Sequence, residues 1–385
     1  MIARTTRRRF QTHAVAAAAA VVASAAACAP GPTAQPPARE KDAGPIRVQQ
    51  WDAANTPFGL WLEGYYTVFP ATSGIQTSIV PRKTDVSASE EQAIWVAAGD
   101  VPDVFFRTGR GLVPYAVLAS KNVIRPLDAF IKRDRWDQSD FWPNLIKLMT
   151  AMNQQWVIPQ DFNQTLFAYN TAVLQQAGVT PPPADWKDQS WNWNELVRRA
   201  QQVQSHIGAE GTRWALGRPQ GNWPLYMWTN SGDYTTEDGS RVTLTDAAVV
   251  EALDFVAKLM HTHRVAPPPQ VALPPGNPIA SQSVALDGFA ASNINAVRGQ
   301  NKDLVFDTCL FPRGAGKYVS GGGGGGYVMS ATTKHPDAAW ELLKYIGAKE
   351  YAINKVKNGA LGPRISTAKE VFIQPGLPPA SAAVY

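Results

Sequence analysis

Few residue patterns in this chain could do chemistry. The most conspicuous is Gly321 to Gly326, six consecutive glycines leading into Tyr327-Val328-Met329-Ser330. A glycine run can be a flexible linker, a phosphate-cradling loop, or a stretch where the backbone passes close to another surface. Gly326 is followed by Tyr327, with no Gly-Lys-Ser/Thr ending, and six glycines satisfy any GxGxxG pattern trivially. His261 and His263 are two apart near a predicted helix end, about 200° around the axis, so they do not make one metal face. The cysteines are Cys28 and Cys309, and no CxxC, HExxH or GxSxG spacing occurs. Asp and Glu are plentiful, but no pair is marked as the facing carboxylates of a glycosidase. No metal, cofactor or catalytic set is expected.

The N-terminus reads as an export signal. Residues 1–28 hold Arg4, Arg7, Arg8 and Arg9 and no acid, then an Ala/Val-rich run from Ala14 to Ala27, then Cys28. This is a basic region, an apolar region and a small-residue processing site. Thr6-Arg7-Arg8-Arg9-Phe10 has the twin-arginine pattern of an exporter for folded cargo. Cys28 after three alanines resembles a lipobox, with Ala25 where such sites usually have Leu. The expectation is a lipid anchor on Cys28 at the outer face of the cell membrane. Cleavage into the periplasm is the alternative.

Loss of those four arginines takes the formal +5 to about +1, so the basic character belongs mostly to the signal. Nothing in the mature chain has the clustered Lys/Arg of a nucleic-acid footprint. Residues 29–44, APGPTAQPPAREKDAG, read as a disordered Pro-rich tether. No second apolar run of about 18 or more residues appears, so no membrane span is expected in the mature chain. Cys309, inside an apolar run, is expected to be a buried small hydrophobe.

The body from Pro45 is about 340 residues, enough for two lobes. Strand and helix signals alternate, which suggests a parallel α/β sheet. Strands are expected at Ile46–Trp51, Ile75–Val80 and Val104–Phe106, and two short ones in Trp156–Asn170, separated by Pro159 to Asn163. Ser89–Ala98 reads as a helix with Ile94 and Ala97 three apart and Gly99 as its stop. Ser139–Met152 reads as another. Asn192 with Glu195 makes a capping box for a helix Trp193–Val203. In Thr245–Arg264, Val249, Leu253, Val256 and Met260 are in helical register. A further helix is expected near Phe289–Val297. Pro336 opens a helix whose apolar face is Ala339, Leu342, Leu343 and Ile346, with Gly347 as its stop.

Four stretches together resemble a known family. They are Ala98-Gly99-Asp100-Val101-Pro102-Asp103-Val104-Phe105; Ile158-Pro159 with Phe167-Ala168-Tyr169-Asn170 and Ala177-Gly178-Val179-Thr180-Pro181-Pro182; Trp191-Asn192-Trp193-Asn194-Glu195-Leu196; and Gly325-Gly326-Tyr327-Val328-Met329 with Lys334-His335-Pro336-Asp337-Ala338-Ala339-Trp340-Glu341-Leu342-Leu343. In order and spacing they are similar to the bacterial extracellular solute-binding proteins of ABC transporters, in particular the family with maltose- and other sugar-binding members. The resemblance runs from about Ile46 to Ser366.

It implies an α/β, two-lobed periplasmic-binding-protein-like fold of type II, with interlobe crossovers and a central ligand cleft. Lobe I would hold 45–161 and 323–360, and lobe II 165–320 and 361–385. The implied function is a non-enzymatic receptor that captures a sugar or oligosaccharide and delivers it to ABC permease subunits, acting as a monomer. The alternatives are a secreted carbohydrate-active enzyme and a same-fold binder of a peptide, polyamine or metal. Members usually continue past Gly362-Pro363-Arg364 with further helices, so a chain stopping at Tyr385 is either short or a fragment.

A sugar cleft needs aromatic rings for the apolar C–H faces and Asp, Asn or Arg for the hydroxyls. Ligands of α/β sheets sit beyond the carboxyl ends of strands. The strand-end candidates are Trp51, which closes the first strand, Asp52 and Asn55 in the turn that follows it, Arg107 after Val104–Phe106, and Trp223 and Trp228 after the strand near Trp214. The resemblance adds Asp161 between the crossing strands and Phe289 at the ring-stacking position; Arg364 lies in the turn near the hinge. It also places a crossover at the glycines, so Gly321, Gly323, Gly324 and Gly326 are expected to form a side-chain-free hinge at the cleft floor.

Overall fold

The computed structural model describes residues 45–50, 57–82, 88–108, 115–208, 213–236, 240–357 and 361–385. The export signal, the tether, Cys28, Trp51, Asp52 and Asn55 lie outside these. The first part of the chain runs β1 (Ile46–Gln50), α1 (Pro57–Ser73), β2 (Thr77–Pro81), α2 (Ala88–Ala98), β3 (Val104–Thr108), α3 (Tyr115–Ser120), β4 (Ile124–Arg125), α4 (Asp128–Asp134) and α5 (Pro143–Leu148). A two-residue pair, β5 (Thr150–Ala151) with β6 (Gln154–Gln155), leads to β7 (Ile158–Asn170). Then follow α6 (Thr171–Gln176), α7 (Trp193–Ile207), β8 (Trp214–Leu216), α8 (Trp223–Thr229), α9 (Ala247–His261), β9 (Val284–Ala290), α10 (Asn293–Gln300), β10 (Phe306–Cys309), β11 (Gly321–Ser330), α11 (Pro336–Ile346) and α12 (Lys349–Lys357).

One mixed sheet has the strand order β2-β1-β3-β11-β7-β9-β8, with β4 also on β11 and β10 also on β7. β1 is parallel to β2 and β3, and β8 is parallel to β9. Between these parallel halves lie the two long strands, β7 and β11, antiparallel to each other. β11 gives its later residues, Gly325 to Met329, to β3, while β7 gives its later residues, Thr165 to Tyr169, to β9. Each long strand therefore joins one half along one edge and the other long strand along its opposite edge. The two short strands expected around Pro159 are one continuous strand of 13 residues. Proline fits because it sits beside a register shift, where an interior strand can do without one backbone donor.

Three buried clusters pack around the sheet. One gathers Ile46, Val48, Tyr66, Tyr327, Trp340 and Leu343. A second gathers Leu166, Trp191, Leu216, Tyr226, Val256 and Phe311, with Cys309 fully buried in it. The third takes side chains from both halves, among them Phe105, Leu145, Phe162, Phe289 and Phe306. Burying a large side chain such as Trp340 contributes roughly 1.5–3 kcal/mol. Its indole N–H needs a partner in such a place, and it donates to Asp134 Oδ2 at 2.9 Å.

Four helices depart from their expected faces or bounds. In α2 the residues turned inward are Glu91, Gln92 and Trp95, while Ile94 is 48% exposed. The sheet explains this. Buried Gln49 on β1 accepts from Phe106 N–H and donates to Glu91 Oε2, and Gln92 donates to the Phe106 carbonyl. Buried amides require partners, and the polar side of α2 supplies them. In α9 the buried row is Val249, Ala252, Val256, Leu259 and Met260, and Leu253 is exposed. Ser139–Met152 yields only the six-residue α5, which begins at Pro143. Phe289 belongs to β9, and the helix after it begins at Asn293.

The caps follow the sequence more closely. Asn192 Oδ1 accepts from the N–H groups of Asn194 and Glu195 at the start of α7. The Glu195 carboxylate pairs with Arg198 and Arg199. α11 has Pro336 in its first turn, buries Ala339, Leu342, Leu343 and Ile346, and ends at Gly347.

Candidate ligand-binding site

The site begins with the glycines. All six lie in β11 and pair with β7, from Gly321 opposite Thr165 to Gly326 opposite Pro159. They are therefore neither a linker nor a phosphate loop. A Cβ at Gly321 would overlap Leu225 of α8, at Gly324 Leu145 of α5, at Gly325 the Phe106 ring of β3, and at Gly326 the carbonyl of Ile158. A Cβ at Gly322 would meet nothing closer than 3.6 Å. The third of the original readings, close approach of the backbone, holds at four positions. The partners come from the strands β3 and β7 and the helices α5 and α8.

At Gly325 and Gly326 the register shifts. Gly325 faces Asp161 and Gly326 faces Pro159, so Gln160 is the extra residue of a bulge. Bulges re-aim side chains. Here Asp161 turns its Oδ1 onto the Gly325 N–H at 2.7 Å, a charge-assisted bond between the two long strands. On the other edge of β11, Gly326 pairs with Arg107. Arg107 is 5% exposed, and burial lowers its guanidinium pKa to about 10, which leaves it cationic at neutral pH. Asp161 and Arg107 thus lie on the two strands that flank the glycines, one register row apart.

A second group sits at the carboxyl ends of the parallel pair β8 and β9. The tryptophan-dense segment after β8 is a short helix, with Pro224 in its first turn. Trp223 and Trp228 are half-buried, and each meets the Tyr234 ring edge to face, at centroid distances of 5.7 and 5.8 Å. Trp228 Nε1 donates to Asp233 Oδ1 at 3.1 Å. Tyr234 is 39% exposed. The structure brings these two predicted tryptophans together around a tyrosine that the sequence did not single out.

Also missed were Asn222 and Asp287. The Asp287 carboxyl occupies the space a Cβ would need on Gly217, and the Asn222 amide occupies that space on Gly288. Asp287 Oδ1 accepts from the Gly288 N–H at 2.8 Å. Burial pushes its pKa up to about 7, opposed by that hydrogen bond and by the positive charge of Arg218. Gly217 directly after β8, and Asp287-Gly288 just past the last β9 residue paired with β8, were the signals that could have marked this spot.

Two expected contacts are placed elsewhere. Phe289 is 1% exposed, its ring lies 5.8 Å from Phe306, and its carbonyl accepts from Tyr385 Oη. It is a core aromatic with no ring face open to a ligand. Arg364 donates twice to the Gly347 carbonyl, pairs with Asp140 and lies over the Phe141 ring at 4.2 Å. Its charge holds the end of α11 and the following tail rather than an open surface. Among the described residues no group of His, Cys, Asp and Glu is arranged to hold a metal ion.

The family model for bacterial extracellular solute-binding proteins matches residues 84–353. The chain belongs to this family. Solved structures share the fold of this solute-binding protein. An ABC substrate-binding protein, Lmo0181 from Listeria monocytogenes in complex with cycloalternan, superposes with a TM-score of 0.69 at 19% identity, over 84% of this chain and 81% of that one. Maltose-bound MalE3 of T. maritima gives 0.66 at 19%, over 84% and 83%. UgpB from Mycobacterium tuberculosis in complex with glycerophosphocholine gives 0.68 at 20%, over 86% and 81%. The fold of this solute-binding protein is that of the two-lobed periplasmic binding proteins.

Proposed function

We propose that this solute-binding protein is the receptor of an ABC importer and captures a sugar or oligosaccharide between its lobes. The observation that carries the sugar reading is the Trp223–Tyr234–Trp228 group, partly exposed beside polar residues at strand ends. Aromatic faces suit the C–H faces of a pyranose, and the nearby Asp and Asn suit its hydroxyls. The solved relatives that hold cycloalternan and maltose support the same choice. Trp223, Trp228, Asp161 and Arg107 are the proposed ligand residues on the described part of the chain, together with Trp51, Asp52 and Asn55.

Lobe I is assigned to 45–161 and 323–360, and lobe II to 165–320 and 361–385, with the tail starting against Asp140 and Gly347 and ending against Asp307 and Trp186. β7 and β11 are the crossovers, and the glycine half of β11 is where the lobes pivot. Ligand contacts made only in the closed state drive closure. The closed form is presented to the permease, and the receptor itself cleaves nothing. Cys28 carries the lipid anchor, with residues 29–44 as the tether.

A thermal-shift screen against neutral sugars tests the proposal, because a ligand that binds only the folded state raises stability by mass action. A saturable rise in Tm with one sugar class is expected. A rise with glycerophosphocholine alone would favour a non-sugar solute.

A further inference from the structure

Asp287, in β9, and Asn222, just before α8, each lie against a glycine. Each fills the place of a side chain that a neighbouring glycine lacks, Gly217 for Asp287 and Gly288 for Asn222. Neither glycine has a positive φ, so backbone conformation does not explain them. What they provide is room for the two polar groups. Only one oxygen of Asp287, Oδ1, has a partner, the Gly288 N–H. Oδ2 has none among the described residues, and the Asn222 amide has none. Both residues are half-buried rather than sealed, so these open hydrogen-bonding positions face either water or a ligand. Their position at the carboxyl ends of a parallel strand pair, with Trp223 next to Asn222 in the chain, favours the ligand.

The chemistry of that ligand follows from the oxygen. Oδ1 is committed as an acceptor, so Oδ2 is the atom that carries the proton when the group is neutral. Ionised, Oδ2 accepts from a donor; protonated, it donates to an acceptor. A hydroxyl is both donor and acceptor and fits either state. A carboxylate or phosphate fits only the protonated one.

We infer that Asp287, positioned by Gly217, is a specificity-determining residue of the cleft whose Oδ2 hydrogen-bonds a hydroxyl of a neutral polyol. This rests on the sugar reading given above. The other charged and titratable groups around it are Arg218, after β8, and Tyr226, in α8. An arginine stays protonated throughout the neutral range, and burial raises the Tyr226 phenol further above its ordinary pKa. Asp287 alone then changes charge near neutrality. Because a carboxylate accepts more strongly than a neutral acid, affinity should rise with pH through about 7.

The test is an equilibrium titration of the full mature chain with glucose, maltose, trehalose and raffinose, from pH 6 to pH 8. It compares the wild type with Asp287→Ala, Asp287→Asn and Gly217→Ala. Gly217→Ala is the informative variant: the three atoms nearest its new methyl all belong to the Asp287 carboxyl group, so that group is the first to be displaced. Both alanine variants should weaken the preferred sugar by about tenfold or more, and Asp287→Asn should bind with a flat pH profile. Wild-type affinity retained in Asp287→Ala and Gly217→Ala would overturn this inference alone. A wild type that binds none of the four sugars would overturn the sugar reading and this inference with it.

Discussion

Asp161 on β7 accepts a hydrogen bond from the backbone N–H of Gly325 on β11, at 2.7 Å, at the point where the register between the two long strands shifts by one residue. The bond ties a charged side chain to the glycine run. It lies where two of the glycines, Gly325 and Gly326, leave no room for a side chain. Beside the bulge the β11 backbone is drawn against Phe106 on one strand and Ile158 on the other.

The six glycines should respond unequally to substitution. Gly326→Ala places a methyl into the carbonyl of Ile158, and Gly325→Ala into the Phe106 ring. Each should lower stability by about 1–3 kcal/mol, the range for overpacking a close-fitted core. Gly322→Ala has ordinary space and should change stability by less than about 1 kcal/mol. Urea denaturation of the three variants checks this. Equal effects would mean that the run acts as a loop.

Trp223→Ala removes a ring that borders Tyr234 and is half-buried. Lost stacking and area should weaken the preferred sugar by about tenfold or more, with a smaller change in folding stability. Phe289→Leu, deep in the core, should do the reverse and lower Tm while leaving affinity within about twofold. Calorimetric titration and thermal melts of both variants separate the roles.

Arg364→Ala should destabilise without altering ligand preference. It removes two bonds to the Gly347 carbonyl, the pair with Asp140 and a stacked Phe141 contact, and hydrogen bonds to charged groups contribute about 1.5–3 kcal/mol each at most. A total loss near 2 kcal/mol is expected in denaturant titration. Arg364→Lys should recover less than half of it, because a lysine cannot reproduce the fork.

Asp134 gives the protein an acid-sensitive element. Hydrogen bonds from Arg133, then Lys344 and Trp340, hold its carboxyl well below the usual carboxylate range against the cost of its burial. A group whose folded pKa is depressed contributes stability above its unfolded pKa of about 3.9 and loses it as pH falls towards the folded value. Asp134→Asn should therefore cost about 1–2 kcal/mol at pH 7, after allowing for solvent screening. The difference from the wild type should shrink below pH 4. Stability measured from pH 7 down to pH 3 checks the sign.

Much of the architecture was legible because local signals agreed with the fold. Asn192 caps α7, Pro336 and Gly347 bound α11, and the alternation of strands and helices matched the two parallel halves. What failed depended on partners far away in sequence. Nothing near Ile94 announces that Gln49, 45 residues earlier by subtraction of their numbers, would require the polar face of α2. Arg364 looked available because Gly347 and Asp140 are distant in the chain. Phe289 looked like a stacking ring because a resemblance carries a position but not the packing of Phe306 against it. Asp287 and Asn222 went unnoticed for a related reason: the spaces at Gly217 and Gly288 exist only once β8, β9 and α8 meet.

The central claim is that this chain captures a sugar and releases it unchanged. The most direct measurement is an equilibrium titration, followed by intrinsic tryptophan fluorescence, against a panel of mono- and oligosaccharides, with the bound sugar then recovered by denaturation and weighed by mass spectrometry. The account predicts saturable binding of one sugar per chain and recovery of that sugar intact. No binding across the panel, or recovery of cleaved products, would contradict it.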